Sequence, residues 1–484
     1  MNSTTSTPEW EYSPAPERVD PGIEDRHRLF IGGRFIASRG RKTFETINPA
    51  TEDVLSCCDE ANAADVDAAV ESARTAFRKW SRTKPKERAK YLYRIARRIQ
   101  ERARELAVLE TMDGGKPIRE SRDVDIPLVA QHFFHHAGWC DKLQYAFPGA
   151  TEPKPLGVCA QVIPWNFPLL MLAWKIAPAL ACGNTVVLKP AETTPLTALR
   201  FAEICEECEL PAGVVNIVTG AGDTGRLLVE HPDVDKIAFT GSTDVGKRIA
   251  AATAGTGKRL TLELGGKSPN IIFADASIDQ AIEGIVQGIW FNQGHVCCAG
   301  SRLFVQESVL PEVIEKLERR LGTLRVGDPL DKNTDVGAIN SGPQLATINR
   351  YLAEGTEEGA TMHRPNSSSL PEKGFWCQPC FLSDVQPNHV IAREEIFGPV
   401  LAVMSFRTPE EAISRANDTR FGLAAGVWTD KGSKIFEVAS KLQAGVVWLN
   451  TYNRFDATSP FGGVKESGFG REGGLHGLRG YLKI

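Results

Sequence analysis

The 484-residue sequence predicts an α/β protein built on open, mostly parallel sheets. Short apolar runs alternate with longer segments in which apolar residues recur every three to four positions. Four such runs lie at Val158–Ile163, Thr185–Leu188, Val214–Val218 and Lys236–Thr240, with helical segments between them. This alternation indicates βαβ units, and a sheet of this kind binds ligands beyond the carboxyl ends of its strands.

Length, composition and charge indicate a water-soluble globular protein of about two or three domains. Hydrophobic residues make up 42% and charged residues 24% of the sequence, and the net charge is −4. The absence of a long basic run argues against a nucleic-acid or membrane partner, and no stretch approaches the ~20 apolar residues of a membrane-spanning helix. Eleven cysteines in so long a chain do not indicate a disulfide framework, so we expect a cytoplasmic protein.

The first part of the chain predicts a tail, a hairpin and helices. Residues 1–26 hold Ser, Thr, Pro and acidic residues without an apolar run, which is typical of a disordered tail rather than a targeting peptide. Leu29–Ile31 and Arg34–Ile36 flank a glycine pair and predict a hairpin. Residues 63–112 show helical periodicity and predict two long helices with Pro85 between them.

The alternation of apolar runs and helical segments resumes later in the chain and predicts a second α/β unit over residues 265–462. Its expected strands are Asn270–Phe273, Arg302–Val305 and Val400–Phe406, and its expected helices cover 309–322 and 408–417.

Two adjacent cysteines, Cys297 and Cys298, lie in a Gly-flanked segment that a bulky substrate could approach closely. A thiolate there would be a strong nucleophile that needs a nearby base and oxyanion donors. Glu263, which ends a short apolar run, is the candidate base, and Asn166 in Pro164–Pro168 is the candidate donor. Taken alone, the residues leave both a structural cysteine pair and a catalytic site open.

Residues Gly220–Gly225 read G-x-G-x-x-G after an apolar run, the pattern of a dinucleotide-binding turn at a helix N-terminus. The acidic residue expected about 20 positions later is missing, because that region reads Ala238-Phe239-Thr240. We therefore interpret the segment as a turn.

Two further patterns suggest metal or redox chemistry. Cys377 and Cys380 form a C-x-x-C pair, but they lack the βαβ context of a thioredoxin-type motif. His132, His135 and His136 have helical spacing suited to a metal, but no acidic cluster accompanies them. We predict no metal site and expect these histidines to pack or to line a substrate entrance.

The segments around Cys297, Glu263 and Asn166 resemble those of the aldehyde dehydrogenase superfamily, and the resemblance runs from about Phe30 to the C-terminus. The other matching motifs are Leu188–Glu192, Phe239–Thr243, Glu394–Pro399 and Ser459–Gly463. The resemblance implies the fold of that superfamily: a Rossmann-type cofactor domain, a second α/β catalytic domain and a small β oligomerisation element.

The resemblance also implies domain boundaries. They are a disordered tail at 1–26, an NAD-binding domain from 27–139 and 158–264, a catalytic domain at 265–462, and an oligomerisation element from 140–157 and 463–484. The last element implies a homotetramer or a homodimer.

For catalysis, the resemblance assigns the nucleophile to Cys297 rather than Cys298, because the Ala-Gly that follows is in the family's register. Asn166 would stabilise the oxyanion and Glu263 would activate the hydrolytic water, and Glu263 argues against the coenzyme-A-acylating branch. A route for the proton is implied through Lys175 and Glu472.

The implied cofactor is NAD. Glu192 would accept hydrogen bonds from both ribose hydroxyls and would repel a 2′-phosphate, so NADP is possible but less favoured. The implied cofactor-binding residues are Ile163, Pro164, Trp165, Lys189, Glu192, Gly241, Ser242, Glu395 and Phe397.

The implied substrate is a small-molecule aldehyde. Its expected contacts are Phe167, Trp174, Phe291, Val296, Cys298, Phe455 and Phe461. Arg454 and His295 depart from the family's usual residues, which leaves the substrate range open. The alternatives are a semialdehyde or betaine-aldehyde specialist, and a non-catalytic relative that keeps the fold.

Overall fold

The computed structural model describes residues 13–149, 152–365 and 369–484. The strands of these ranges are β1 (Arg26–His27), β2 (Leu29–Phe30), β3 (Phe35–Ile36), β4 (Thr43–Ile47), β5 (Val54–Asp59), β6 (Lys154–Pro155), β7 (Val158–Val162), β8 (Thr185–Lys189), β9 (Val215–Ile217), β10 (Lys236–Thr240), β11 (Arg259–Glu263), β12 (Pro269–Ile272), β13 (Arg302–Gln306), β14 (Thr361–His363), β15 (Cys380–Ser383), β16 (Val400–Phe406), β17 (Ala424–Trp428), β18 (Val446–Leu449), β19 (Gly468–Phe469) and β20 (Leu482–Lys483).

The helices of the same ranges are α1 (Ala63–Trp80), α2 (Pro85–Glu101), α3 (Ala103–Gly114), α4 (Ile118–Glu120), α5 (Ile126–Trp139), α6 (Leu143–Ala146), α7 (Pro168–Ala181), α8 (Leu196–Glu207), α9 (Gly222–Glu230), α10 (Thr243–Thr253), α11 (Ile278–Ile289), α12 (Leu310–Leu321), α13 (Gly342–Glu357), α14 (Val390–Arg393), α15 (Pro409–Asn417), α16 (Gly432–Lys441) and α17 (Gly474–Arg479). A π-helical turn spans Ser121–Asp125, and short 3₁₀ turns span Phe291–Gly294, Glu307–Val309 and Lys465–Ser467.

The larger sheet has eight strands in the order β19-β11-β10-β7-β8-β9-β2-β3. Its five central strands are parallel, and the other strands pair antiparallel at its two edges. All four predicted strands are confirmed within two residues at each end, and helices α7 to α9 connect them. The strand order reverses between β7 and β10. In open α/β sheets, the crevice at such a switch point is where ligands bind.

The second large sheet has seven strands in the order β14-β15-β16-β13-β12-β17-β18. Only β14 pairs antiparallel among these described strands. The predicted strands and helices of this α/β unit are confirmed as β12, β13, β16, α12 and α15. The boundary predicted at residues 264 and 265 falls between β11 of the first sheet and β12 of the second. The domain boundaries themselves stay a prediction.

The N-terminal tail differs from the prediction. Residues 1–12 lie outside the described residues, but the prediction of disorder is wrong for residues 13–26. Glu17 is buried, its N–H donates to the Leu330 carbonyl at 2.8 Å, and its carboxylate pairs with Arg104 at 2.7 Å. The Arg104 guanidinium lowers the pKa of Glu17 to about 2. Hydrogen bonds to distant segments, which composition does not reveal, hold this part of the tail.

Two other expectations need correction. Residues 63–114 form three helices rather than two: Pro85 begins α2, where a missing N–H costs nothing, and the chain breaks again at Arg102. The segment 463–484, predicted as part of the oligomerisation element, is divided. Its strand β20 pairs with β6, but β19 pairs with β11 and completes the larger sheet. None of the described helices is long and apolar enough to cross a membrane.

Candidate active site

A cavity lies at the switch point, beyond the carboxyl ends of β7, β10 and β11. Most of the predicted site residues line it: Pro164, Trp165, Asn166, Phe167, Trp174, Gly241, Ser242, Glu263, Phe291, Val296, Cys297, Cys298, Glu395, Phe397, Phe455, Phe461 and Glu472. Among the described lining residues, Ile163, Lys175, Lys189 and Glu192 do not appear. Two segments more than 100 residues apart in the sequence, one after β7 and one after α11, therefore meet here.

The two cysteines of the pair lie in different environments. Cys297 is partly exposed to the cavity, whereas Cys298 is 1% exposed. Burial, together with the neighbouring Cys297, raises the pKa of the Cys298 thiol well above its ordinary value. The Cys298 carbonyl also accepts a hydrogen bond from the Tyr452 hydroxyl at 2.9 Å. Of the two thiols, only that of Cys297 is accessible from the cavity.

The Asn166 amide is fixed against the loop that carries Cys297. Its Nδ2 donates to the His295 backbone carbonyl at 2.7 Å, and the backbone carbonyl of Asn166 accepts from Asn292 Nδ2 at 2.8 Å. An amide nitrogen carries two N–H groups, so a second donor remains for a group in the cavity. From this wall, the donor can face the oxygen of a substrate whose carbonyl carbon is bonded to Cys297 Sγ.

Glu263 ends β11 with its carboxylate in the cavity wall. The side chain is 3% exposed, and neither carboxylate oxygen has a hydrogen-bond partner among the described residues. Burial is the main reason that its pKa is raised well above the ordinary value, the charge of Glu472 adds to this, and Lys175 opposes it. A Cβ at position 462 would lie 2.6 Å from Glu263 Oε1, so Gly462 leaves room for the carboxylate. A carboxyl with a raised pKa is suited to act as a general base near neutral pH.

Lys175 and Glu472 form a buried ion pair behind Glu263. Lys175 Nζ lies 2.6 and 2.8 Å from the two carboxylate oxygens of Glu472 and 2.6 Å from Thr240 Oγ1. Glu472 and Thr240 line the cavity, and Lys175 on α7 lies behind them. The predicted pair is therefore in contact, and its position is compatible with proton transfer away from Glu263.

A groove suited to a dinucleotide lies at the switch point, where the N-terminus of α10 faces the cavity. Ser242 caps α10, with its hydroxyl accepting from the Val245 N–H at 3.4 Å, so backbone N–H groups and the helix dipole face the cavity there. None of the described residues Gly220–Gly225 lines the cavity. The interpretation of that segment as a turn holds only for its first two residues, because α9 begins at Gly222.

Two acidic side chains were predicted to bind the riboses of the cofactor, and of these only Glu395 lines the cavity. Glu192 is half exposed after β8, 3.5 Å from Lys189 Nζ. Glu395 is partly buried, its carboxylate accepts the Gly266 N–H at 3.0 Å, and desolvation of the carboxylate raises its pKa to about 7.

Aromatic rings form the remaining walls. Trp174 lies 5.4 Å from Phe461 and 6.3 Å from Phe455, and Phe167 stacks on Phe291 at 6.1 Å between ring centroids. This half of the cavity is apolar.

The second aromatic group contains a departure from the family pattern. The His295 ring is 4.8 Å from Trp165 and stacks on Phe397 at 5.8 Å. Burial lowers the pKa of His295 to about 3, so a neutral ring packs in this cluster. Arg454, the other departure, is exposed.

Several lining residues escaped the sequence analysis. They are Val124, Asp125, Leu128, Leu170, Met171, Thr240, Leu264, Gly265 and Gln344. The first three lie in and after the π-helical turn 121–125, and no motif or periodicity marks them as site residues. Leu170 and Met171 could have been found, because they lie on the same helix as Trp174, three and four residues before it.

The histidine set and the C-x-x-C pair both make packing contacts in the described part of the chain. His132 stacks on His136 and packs 5.3 Å from Trp174, which gives it a packing role behind the cavity wall. Cys377 and Cys380 are buried, and burial raises the pKa of both thiols, to about 11 for Cys377. A thiol of that pKa is a poor redox nucleophile.

Comparisons with known proteins identify the family of the chain. The model of the aldehyde dehydrogenase family matches residues 35–484. The mitochondrial aldehyde dehydrogenase of Rattus norvegicus is 45% identical over 95% of this chain and 90% of its own length. Retinal dehydrogenase 2 of Homo sapiens is 45% identical over 96% of this chain and 92% of its own.

A solved structure of an aldehyde dehydrogenase from Bacillus cereus in complex with NAD⁺ superposes with a TM-score of 0.93 at 43% identity. It covers 97% of this chain and 98% of its own. The α/β prediction and the family resemblance are thus confirmed, and the protein is an oxidoreductase. The chain belongs to the aldehyde dehydrogenase family.

Proposed function

We propose that the chain catalyses the NAD-dependent oxidation of an aldehyde to the carboxylic acid, through a thioester on Cys297 that water hydrolyses. One observation carries the proposal. The accessible thiol of Cys297, the amide of Asn166 and the unpaired carboxylate of Glu263 line the same cavity, and the cavity opens at the switch point of the larger sheet.

The first half-reaction forms a carbon–sulfur bond. Cys297 Sγ attacks the aldehyde carbon, and the carbonyl oxygen becomes an oxyanion of a thiohemiacetal. The Asn166 amide and the Cys297 backbone N–H donate to this oxygen. A bound NAD would supply the hydride acceptor for this step. As the thiohemiacetal carbon loses its hydride, the oxyanion lone pair re-forms a C=O bond, and a thioester remains on Cys297.

The second half-reaction is hydrolysis. Glu263 takes a proton from a water molecule, whose oxygen adds to the thioester carbon. The carbon–sulfur bond then breaks, the carboxylic acid leaves, and the Cys297 thiolate is restored. The proton held by Glu263 passes outward by way of Glu472 and Lys175, which lie behind it.

NAD fits the described residues. Pro164, Trp165, Gly241 and Ser242 line the crevice between β7 and β10, where a pyrophosphate would meet the N-terminus of α10. Glu395 would hold the ribose near the thiol, with Phe397 beside it. Glu192 and Lys189 would hold the other ribose, with Ile163 beneath the groove.

Glu192→Gln is expected to weaken the preference for NAD over NADP by roughly tenfold, equivalent to ~1.4 kcal/mol. The reason is that the substitution removes the negative charge that would oppose a 2′-phosphate. The ratio of kcat/KM for the two cofactors measures the effect. Glu206→Gln, which removes an exposed carboxylate from α8, serves as the control. An unchanged ratio in Glu192→Gln would contradict this role.

Asn166→Ala is expected to lower kcat/KM for the aldehyde by ~10²–10³, because one preorganised oxyanion donor is lost. The KM for NAD should change little, since the amide does not face the groove at α10. Steady-state kinetics with both substrates varied, beside a thermal melt of the variant, measures this. A loss smaller than about threefold in a folded variant would show that Asn166 is not such a donor.

The aromatic walls favour an aldehyde with an apolar or aromatic body. Phe167, Trp174, Phe291, Phe455 and Phe461 surround the approach to Cys297, and Val296 and Cys298 complete it. NADH absorbance, followed with aliphatic, aromatic, amino- and quaternary-ammonium aldehydes, tests function and substrate class together. Turnover with none of them would refute the proposed activity. A clear preference for the charged aldehydes would favour a betaine-aldehyde or semialdehyde specialist instead.

We further propose a homo-oligomer, a tetramer or a dimer, that works in the cytoplasm. The antiparallel pair β6–β20 forms a small sheet apart from the large ones, and it ends in the exposed Ile484. All eleven cysteines lie in the described ranges, and all are free thiols. Free thiols in this number suit a reducing compartment.

A further inference from the structure

A buried carboxyl group holds the loop that presents Cys297. Glu120, the last residue of α4, is 5% exposed, and its Oε2 accepts the Asn292 backbone N–H at 2.8 Å. The Asn292 carbonyl in turn accepts the His295 N–H at 2.8 Å. Glu120 is therefore bonded directly to the turn that leads into the nucleophile, although it does not line the cavity among the described residues.

The turn needs such support because its backbone is strained. Asn292 and Gln293 have φ values of 48° and 53°, and Gly294 follows at 75°. Successive left-handed residues that carry a side chain are costly, and they persist only where surrounding contacts hold them. Here Gln293 bonds the Ala338 carbonyl at 3.0 Å, and Glu120 bonds the backbone of Asn292.

The same turn also fixes the second oxyanion donor. Asn292 Nδ2 donates to the backbone carbonyl of Asn166. In turn, Asn166 Nδ2 donates to the backbone carbonyl of His295, two residues before Cys297. These bonds close a ring between the segment after β7 and the loop after α11. The relative position of the Asn166 amide and the Cys297 N–H therefore depends on the left-handed turn.

Glu120 belongs to a cluster of buried charges beneath the cavity. Lys116 Nζ lies 2.6 Å from Asp125 and 3.2 Å from Glu110, and 4.3 Å from the centre of the Phe167 ring. Glu110 in turn accepts the Leu169 N–H near the start of α7 at 3.2 Å. The cluster is thus bonded both to α7 and to the Cys297 loop.

We propose that Glu120 is a positioning residue: by accepting the Asn292 N–H it holds the left-handed turn 292–294, and it thereby aligns the Asn166 amide with the Cys297 N–H. This inference rests on the proposed oxyanion chemistry of those two groups. Burial raises the pKa of Glu120 to about 8, with the charge of Asp125 adding to the effect. Glutamine is therefore a close replacement for the protonated carboxyl at neutral pH, and its carbonyl can accept the same hydrogen bond.

Two variants test the proposal in the full chain. Glu120→Ala removes the acceptor and is expected to slow the burst of NADH in the first turnover at least tenfold. Glu120→Gln keeps an acceptor and should stay within about threefold of the wild type. If Glu120→Ala does not fold, Glu120→Leu, which fills the space without accepting a hydrogen bond, takes its place.

A second measurement distinguishes misalignment of the two oxyanion donors from a general disorder of the Cys297 loop. Alkylation of Cys297 by iodoacetamide needs the thiol but creates no oxyanion. Its rate in Glu120→Ala should therefore stay within about threefold of the wild type while the burst slows. A parallel loss of alkylation and burst would overturn the proposal.

The matched control is Asp113→Ala on α3. Asp113 is also a buried carboxyl that accepts one backbone N–H, from Leu196 at 3.0 Å, and burial raises its pKa to about 7. It bonds no residue of the Cys297 loop among the described contacts, so its loss should lower the melting temperature without slowing the burst. An equal slowing of the burst in Asp113→Ala, or a burst as slow in Glu120→Gln as in Glu120→Ala, would overturn the proposal. A wild type that forms no NADH with any of the aldehydes would instead refute the proposed function.

Discussion

Cys297→Ala is expected to abolish aldehyde oxidation, with a loss of at least ~10⁴ in kcat, because no thiohemiacetal can form without the nucleophile. Binding of NAD should be retained, since the cofactor groove is built from other segments. NADH formation at saturating aldehyde measures the first expectation. Quenching of tryptophan fluorescence by NAD measures the second, because Trp165 lines the groove.

The matched control for this variant is Cys298→Ala. The Cys298 thiol is buried, and the substitution removes mainly its weak hydrogen bond to Asn453 Oδ1, at 3.6 Å. We expect kcat within about threefold of the wild type and a loss of stability on the order of 1 kcal/mol. Equal inactivation of both variants would mean that the thiols act as a pair, and that the assignment of Cys297 alone is wrong.

Glu263→Gln is expected to slow steady-state turnover by ~10²–10⁴, because the general base of hydrolysis is lost while the thiol and the oxyanion donors stay in place. The first turnover should still release NADH, and the enzyme should then stall as the thioester. Stopped-flow absorbance would show a burst close to one NADH per site, and mass spectrometry would show the acyl group on Cys297.

The pH dependence of kcat supplies a second test of Glu263 as the general base. A base must be deprotonated to act, and burial raises the pKa of Glu263 well above 4.5. Wild-type kcat should therefore rise with pH through that raised pKa, and it should fall on acidification at a higher pH than an exposed glutamate would give. In Glu263→Gln, kcat should not show this rise with pH. A variant without a burst would show that Glu263 is needed before hydride transfer, which would move its role to deprotonation of the thiol.

The position of these groups follows from the strand order. Asn166 comes shortly after β7 and Glu263 ends β11, so both lie at the carboxyl edge of the larger sheet. The Cys297 loop reaches the same edge from the chain that builds the second sheet. Lys175 and Glu472 come from α7 and from the segment after β19, and they meet only because β19 pairs with β11. The proposed catalytic groups are therefore brought together by both sheets and by the C-terminal segment.

Local sequence patterns determined most of the architecture. Short apolar runs identified β7, β8, β10 and β16, because each of these strands is buried along nearly its whole length. Motifs identified Cys297, which the structure leaves accessible while burying Cys298. The family resemblance predicted the aromatic residues of the cavity walls, and every one of them lines the cavity.

Only the tertiary structure decided the contacts between distant segments. The docking of Glu17 on Arg104, the pairing of β19 with β11 and the bond from Glu120 to Asn292 each join residues at least 87 positions apart. No local sequence pattern predicts such contacts, because the sequence does not distinguish a glutamate that will be buried from one that will stay in solvent. Periodicity shows which face of an element is buried, and the packing of the whole chain decides which partner that face meets.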